Sequence, residues 1–182
     1  MISFNGQRFV EVAFEGPKHI IGSSPKTGPK GTYVAWLPSS RSATAVIGWA
    51  RMMGLTDTVA PDDLHITIMY SPDAEVDPHE HGDVPLPRQV GLTRFQDPRT
   101  AVLGKLGSPG ALVTTYNSSV LNDRHNYWRD ERKLVHAHEG FIPHMTLSYA
   151  ADKVSPEVYK NLQANPCPIP LELAKERIAW CN

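Results

Sequence analysis

Two seven-residue stretches decide the fold: LHITIMY at residues 64–70 and PHMTLSY at residues 143–149. Each has histidine at its second position, threonine two residues later and tyrosine at its end. Large apolar residues, several of them β-branched, fill the positions between, which is typical of a strand that buries one face. The two stretches therefore predict two strands of the same kind, far apart in sequence.

The polar residues of both strands point away from the apolar row. Side chains at i and i+2 of a strand lie on one face, so His65 accompanies Thr67, and His144 accompanies Thr146. A single H-x-T sequence is weak evidence for a site, but two on matched strands are strong evidence. The pair predicts two imidazoles and two hydroxyls around one space of the size of an anion.

A repeat surrounds the two motifs. TYVAWL precedes the first and ALVTTY precedes the second, each followed by a helical pattern. The spacing from Tyr33 to His65 equals the spacing from Leu112 to His144, at 32 residues. We therefore expect an α+β fold with two pseudo-symmetric strand–helix–strand lobes, and antiparallel sheets around a central cleft.

Three helices are predicted between the strands, each with serine at its start. In the first, Val46, Trp49, Ala50 and Met53 form one apolar face, and Gly54 follows the last of them. The predicted helices run from Ser39 or Ser40 to Gly54, from Ser118 or Ser119 to about Leu134, and from Ser155 or Pro156 to about Asn165. Further strand-like runs lie at residues 92–95, 101–106 and 169–180, and breaker-rich loops at 22–31 and 71–91.

The same pattern predicts one bilobal domain. Residues 1–30 read as an N-terminal extension, and residues 31–182 as the domain itself. Its first lobe covers about 31–100, its second about 101–168, and the last strand 169–180.

The composition narrows the possible partners. The formal net charge is -1, which argues against long nucleic acid as a partner, because such binding needs a clearly basic face. No stretch approaches the ~20 apolar residues that span a bilayer. Cys167 and Cys181 form no disulfide framework. We therefore expect a reduced cytoplasmic protein without a membrane partner.

The paired motifs suit phosphodiester transfer. An imidazole with a pKa near ~6.5 can accept or donate a proton at neutral pH. One histidine could take the proton of a ribose 2′-hydroxyl as it attacks phosphorus, and the other could protonate the departing 5′-oxygen. The threonine hydroxyls could bind the non-bridging oxygens. The nucleophile is internal, so we expect no metal and no cofactor, and a 2′,3′-cyclic phosphate as the first product.

Two H-x-H pairs offer a rival reading. His79 with His81, and His136 with His138, could hold zinc if they lay on strands. Both lie in polar loops without cysteine, so the sequence favours solvated loop histidines and predicts no metal site. The second pair directly precedes the second motif, so a role for this pair at the rim of the cleft stays an alternative.

At these motifs the chain resembles the two-histidine (2H) phosphoesterase superfamily over about residues 31–180. Within it, the segments GTYVAWLP, PDDLHITIMYSP and GFIPHMTLSYA are most similar to the phage anti-CBASS nucleases. That resemblance implies a metal-independent enzyme that cleaves the 3′–5′ bonds of cyclic di- and trinucleotide signals such as cGAMP in the bacterial host cytoplasm, so that a phage evades CBASS immunity.

The resemblance also implies a set of site residues. His65, Thr67, His144 and Thr146 would be catalytic, and Tyr33 would stack on a base, although core packing of Tyr33 also fits a strand. Trp180 would line the pocket with a glutamate, either Glu172 or Glu176.

Two other functions stay open at the level of sequence. One is an RNA 2′,3′-cyclic phosphodiesterase or 2′-5′ ligase-like enzyme, and the other is a non-catalytic sponge for cyclic nucleotides. The oligomeric state cannot be predicted from the sequence.

Overall fold

The computed structural model describes residues 31–86, 96–103, 110–138 and 140–181. The predicted N-terminal extension at 1–30 and the strand-like run at 92–95 lie outside these ranges.

Within the described ranges, seven strands and three α-helices follow the predicted alternation. The strands are β1 (Gly31–Pro38), β2 (Ile66–Ser71), β3 (Gly82–Pro85), β4 (Gln96–Leu103), β5 (Ala111–Asn117), β6 (His144–Ser148) and β7 (Leu173–Cys181). The helices are α1 (Ser40–Met52), α2 (Ser119–Asn126) and α3 (Pro156–Ala164). None of the helices in these ranges is long and apolar enough to cross a bilayer.

The strands form one sheet in the order β3-β7-β1-β2-β6-β5-β4, and every neighbouring pair is antiparallel. The two repeats, β1-α1-β2 and β5-α2-β6, meet where β2 lies beside β6. The predicted α+β fold with two strand–helix–strand units is confirmed. The strands of both units belong to a single seven-stranded sheet, joined at its centre by the pairing of Ile66 with Met145.

The core lies on the helix side of this sheet. Strand residues at alternating positions meet the apolar faces of the helices there, as the period of two requires. Core residues include Val34, Trp36, Ile66, Ile68, Met145 and Leu147 from the strands, and Val46, Ile47, Trp49, Leu121 and Leu162 from the helices.

Serine caps begin all three helices, as predicted. The side chains of Ser39, Ser118 and Ser155 each accept a hydrogen bond from the backbone N–H three residues later. Gly54 follows the end of α1 with a φ of +99°, a conformation that glycine adopts without strain.

The second helix is shorter than predicted. The α-helix ends at Asn126, and a π-helical turn covers Tyr127–Glu131, in which the N–H of Arg132 donates to the carbonyl of Tyr127. Lys133 then takes a φ of +57°, which ends the helical path before the predicted end at Leu134.

One loop prediction and two strand predictions need correction. The predicted loop at 71–91 contains β3, an edge strand whose residues are all exposed, so it has no alternating pattern to detect. The predicted last strand at 169–180 begins only at Leu173. Strand β4 begins at Gln96, five residues before the run predicted at 101–106.

Candidate active site

The first motif lies at the start of β2. Ile66 and Ile68 are fully buried in the core, whereas His65 and Thr67 are only partly buried. This alternation follows from the strand period of two, and it places the imidazole and the hydroxyl on the face opposite the helices.

The second motif has the same construction in β6. Met145 and Leu147 are fully buried in the core, while His144 is partly buried and Thr146 is 7% exposed. Both motifs therefore present their polar residues on the same side of the sheet, the side that the core does not use.

The strand register brings the two motifs together. Ile66 pairs with Met145, and in an antiparallel pair the neighbours of paired residues are also opposite each other. His65 therefore lies across from Thr146, and Thr67 across from His144. Side chains in such positions have Cβ atoms about 5 Å apart, and diagonal neighbours about 7–8 Å apart. The result is a four-residue square in which the two imidazoles occupy one diagonal and the two hydroxyls the other.

Both imidazoles are oriented in the same way. Nδ1 of His65 lies 2.7 Å from the carbonyl oxygen of Asp63, and Nδ1 of His144 lies 2.7 Å from that of Ile142. A carbonyl oxygen only accepts, so Nδ1 carries the hydrogen in each ring. The neutral rings therefore have an unprotonated Nε2, and this nitrogen is the one that can exchange protons.

Burial lowers the pKa of both histidines. Desolvation of the ring is the main cause at His65 and at His144, while hydrogen bonds to the carbonyls of Asp63 and Ile142 act in the opposite direction. The charge of His65 further lowers the pKa of His144. The two rings therefore lie within electrostatic reach, and protonation of one disfavours protonation of the other.

Two tyrosines contact the threonines of the square. The hydroxyl of Tyr33 lies 3.1 Å from Oγ1 of Thr67, and its ring meets that of His65 edge-on with centroids 6.0 Å apart. On the other side, burial raises the pKa of Tyr149, and a hydrogen bond with Thr146 acts in the opposite direction. Tyr33, named from the sequence, thus lies beside the motif residues, and Tyr149 was not singled out.

Glu176 lies on the helix side of the sheet. It is 4% exposed, and its carboxylate accepts hydrogen bonds from the indole N–H of Trp36 at 2.7 Å and from Arg124. These bonds join β7 to β1 and α2. The structure does not bring Glu176 to the square, and its role in binding substrate stays a prediction.

Trp180 and Glu172 also lie away from the square. Trp180 follows Glu176 by four residues on the same face of β7, where its indole N–H donates to Glu75 at 3.1 Å. Glu172 precedes β7, and its carboxylate accepts a hydrogen bond from Ser39 at the start of α1. Their predicted contacts with substrate are untested.

The first H-x-H pair lies near the sheet edge. His79 is exposed in a short 3₁₀ turn, and its backbone N–H donates to the carboxylate of Asp77 at 2.9 Å. His81 packs against Trp180, with ring centroids 4.3 Å apart.

The second pair lies close to the second motif. Nδ1 of His136 accepts the N–H of Tyr70 at 3.1 Å, and burial, with the charges of His125 and His138, lowers the pKa of His136 to about 4. The charge of His138 also lowers the pKa of His144. In the described ranges, no three His, Cys, Asp or Glu side chains are grouped so that they could hold a metal ion.

Sequence reasoning missed one charged residue beside the square. Burial is the main cause of the lowered pKa of His65 and of the raised pKa of Tyr33, and the charge of Arg177 acts to lower both pKa values, which places its guanidinium within electrostatic reach of them. The alternation of β7 could have indicated it, because Arg177 points away from the face that Glu176 and Trp180 share.

Two H-x-T strands thus lie side by side at the centre of a single antiparallel sheet. The family model of the anti-CBASS protein Acb1 matches residues 30–179 of this chain, so the chain belongs to the Acb1 family.

Two curated relatives carry the same family name. The anti-CBASS protein Acb1 of Caulobacter sp. (strain RHG1) is 35% identical over 114 residues, which cover 58% of this chain and 16% of the relative. The anti-CBASS protein Acb1 of Sphingomonas paeninsulae is 31% identical over 118 residues, which cover 62% and 18%. The chain thus spans less than a fifth of the length of either relative.

Among solved structures, the chain is similar to E. coli LigT complexed with 3'-AMP. The TM-score is 0.48 at 15% sequence identity, and the match covers 85% of this chain and 89% of that protein.

Proposed function

We propose that this chain is a phosphodiesterase that cleaves the 3′–5′ bonds of cyclic di- and trinucleotide second messengers without a metal. The four-residue square carries the proposal, because it pairs two imidazoles of fixed tautomer with two hydroxyls. The names of the relatives support the biological side, in which a phage escapes CBASS immunity by destroying the signal.

The chemistry needs one proton acceptor and one proton donor. Nε2 of one histidine takes the proton of the ribose 2′-hydroxyl while O2′ forms its bond to phosphorus. The bond from phosphorus to O5′ breaks, and Nε2–H of the other histidine gives its proton to the departing oxygen. Opposite corners suit these tasks, because the attacking and departing oxygens lie on opposite sides of phosphorus.

The threonines supply the remaining contacts. Thr67 and Thr146 occupy the other diagonal, where their hydroxyls donate to the non-bridging oxygens as negative charge builds on them. The product is a ring opened at one position, with a 2′,3′-cyclic phosphate at one end. The near symmetry of the square leaves open which histidine is the base.

The same proposal implies the kind of ligand and the cellular location of the enzyme. The ligand is a small anion held by local groups, in keeping with a formal net charge of -1. Cyclic nucleotide signals are made inside bacteria, so a phage-encoded enzyme of this kind acts in the host cytoplasm.

A product assay tests the function. The protein, with EDTA present, is incubated separately with a 3′,3′-cyclic dinucleotide, cyclic triadenylate, and a linear RNA that ends in a 2′,3′-cyclic phosphate. Mass spectrometry should detect opened rings. Processing of the RNA end alone would indicate an RNA-end enzyme, and tight binding without product would indicate a sponge.

Variants assign the chemistry to the square. His65→Ala and His144→Ala should each lower kcat by about 10²–10⁴-fold, the usual contribution of a general acid or base. His79→Ala is the matched control, because that imidazole is exposed and outside the square. A near-normal rate in either motif variant, or full inhibition of the parent by EDTA, would contradict the two-histidine mechanism.

A further inference from the structure

Arg177 extends from β7 on the face that carries the square. It lies opposite Ala35 of β1, and Ala35 lies opposite Thr67 of β2. Paired residues share a face of the sheet, so a single row on this face runs from Arg177 through Ala35 to Thr67 of the square. Arg177 thus lies two strand spacings, about 10 Å, from Thr67.

Asp83 of β3 holds Arg177 in place. Nε donates to Oδ1 at 2.7 Å and Nη2 to Oδ2 at 3.1 Å, while Lys175 donates to Oδ2 from the same strand as Arg177. The forked contact fixes the plane of the guanidinium and uses two of its five N–H groups. Two cations and one carboxylate leave a net charge of +1, and 45% of the arginine side chain is exposed.

This net positive charge favours the binding of an anionic ligand nearby. Of the five strands β1, β2, β5, β6 and β7, only β7 contains lysine or arginine. The strands that form the square contribute hydroxyls and imidazoles but no permanent positive charge. The effect of Arg177 on His65 and on Tyr33 agrees with a position beside the square.

We propose that Arg177, held by Asp83 and flanked by Lys175, binds the second phosphate of a cyclic dinucleotide while the first lies in the square. A cyclic dinucleotide carries one anionic phosphodiester per nucleotide, and only one is cleaved at a time. The planar fork of arginine matches two phosphate oxygens. The inference rests on the proposed function and deepens it, since it predicts a preference for rings over linear dinucleotides.

Two substrates with different numbers of phosphates test the assignment. A 3′,3′-cyclic dinucleotide has two phosphodiesters, whereas the linear dinucleoside monophosphate ApA has only the one that is cleaved. Arg177→Ala should lower the ratio of kcat/KM for the ring over kcat/KM for ApA by about 10- to 100-fold, through KM of the ring. Arg177→Lys should lose less, because it keeps the charge and loses the fork.

Arg129→Ala is the matched control. Arg129 is also about half exposed and paired with an aspartate, but it lies in the π-helical turn after α2. The ratio should stay at its parent value in this variant. An unchanged ratio in Arg177→Ala, or equal losses for ring and ApA, would overturn the assignment.

A binding measurement separates this inference from the proposed function. Calorimetry of the ring with His144→Ala, and with the same variant that also carries Arg177→Ala, measures affinity without turnover. The added substitution should weaken Kd by about 10- to 100-fold. If the parent cleaves neither substrate, the proposed function fails, and an unchanged Kd would sink the phosphate assignment on its own.

Discussion

A hydrogen bond from each imidazole to the carbonyl two residues before it restricts the orientation and the tautomer of the ring. His65 and His144 make this bond in the same way, at the same distance. The bond fixes the ring plane and assigns all proton exchange to Nε2. The backbone of each motif thus aligns its own imidazole.

The pH dependence follows from the lowered pKa values of these two histidines. Burial moves both below the usual ~6.5, and the proposed mechanism needs one ring neutral and the other protonated. When the pH rises past the higher of the two pKa values in the folded protein, the protonated histidine loses its proton and can no longer act as the acid. We expect kcat/KM for a cyclic dinucleotide to peak below pH 6.5 and to fall towards pH 8.

The profile is measured at constant ionic strength, because kcat/KM reports the groups of the free enzyme. A rate that keeps rising through pH 8 would mean that another group, with a higher pKa, limits the reaction.

Two substitutions separate the role of the Tyr33 ring from the role of its hydroxyl. Its ring lies beside His65, and its hydroxyl contacts Thr67. Tyr33→Ala should raise KM by roughly 5- to 150-fold, since stacking on a base contributes ~1–3 kcal/mol. Tyr33→Phe keeps the ring and should show the smaller change in KM, with a loss in kcat if the hydroxyl orients Thr67.

Both variants are assayed with one substrate and checked for folding by circular dichroism. An unchanged KM in Tyr33→Ala would show that the ring only packs against the strand.

At the scale of elements, Glu176 connects three parts of the structure. Its carboxylate binds Trp36 on β1 and Arg124 on α2 from a buried position on β7. Glu176→Gln keeps the size but removes the charge that Arg124 faces, so the free energy of unfolding should fall by about 2 kcal/mol. Urea denaturation measures the change.

Glu172→Gln is the control for this substitution. That carboxylate is exposed and binds only Ser39 among the described residues, so its loss should cost less than about 1 kcal/mol. Equal stabilities of the two variants would contradict the connecting role of Glu176, and a higher KM without lost stability would favour the predicted contact with substrate.

Elements with a strong apolar period were predictable, and those without one were not. Helix α1 shows its buried face in the sequence and a serine cap at its start. Strand β3 has no buried residue, and its pairing depends on the backbone of β7 rather than on any pattern of its own. The π-helical turn after α2 likewise depends on backbone geometry that residue types do not encode.

For the whole molecule, the equal spacing of the two motifs predicted the fold because it reflects a structural repeat. Spacing alone could not predict the register, which places each histidine across from the threonine of the other motif. Nor could it place Arg177, whose position beside the square depends on the neighbours of β7 in the sheet. Local pattern identifies the groups, and strand order decides which of them meet.

The pairing of Ile66 with Met145 has a consequence for regiochemistry. A square with imidazoles on one diagonal is nearly unchanged by a half-turn, so in the proposed mechanism the acid and the base would exchange places when a substrate binds in the reverse direction. The motif itself therefore has no preferred polarity along a nucleotide ring. In a ring of two different nucleotides, the two phosphodiesters are chemically distinct, and the choice between them belongs to groups on one side only. Arg177 lies on the β1–β7 side, where it breaks that symmetry.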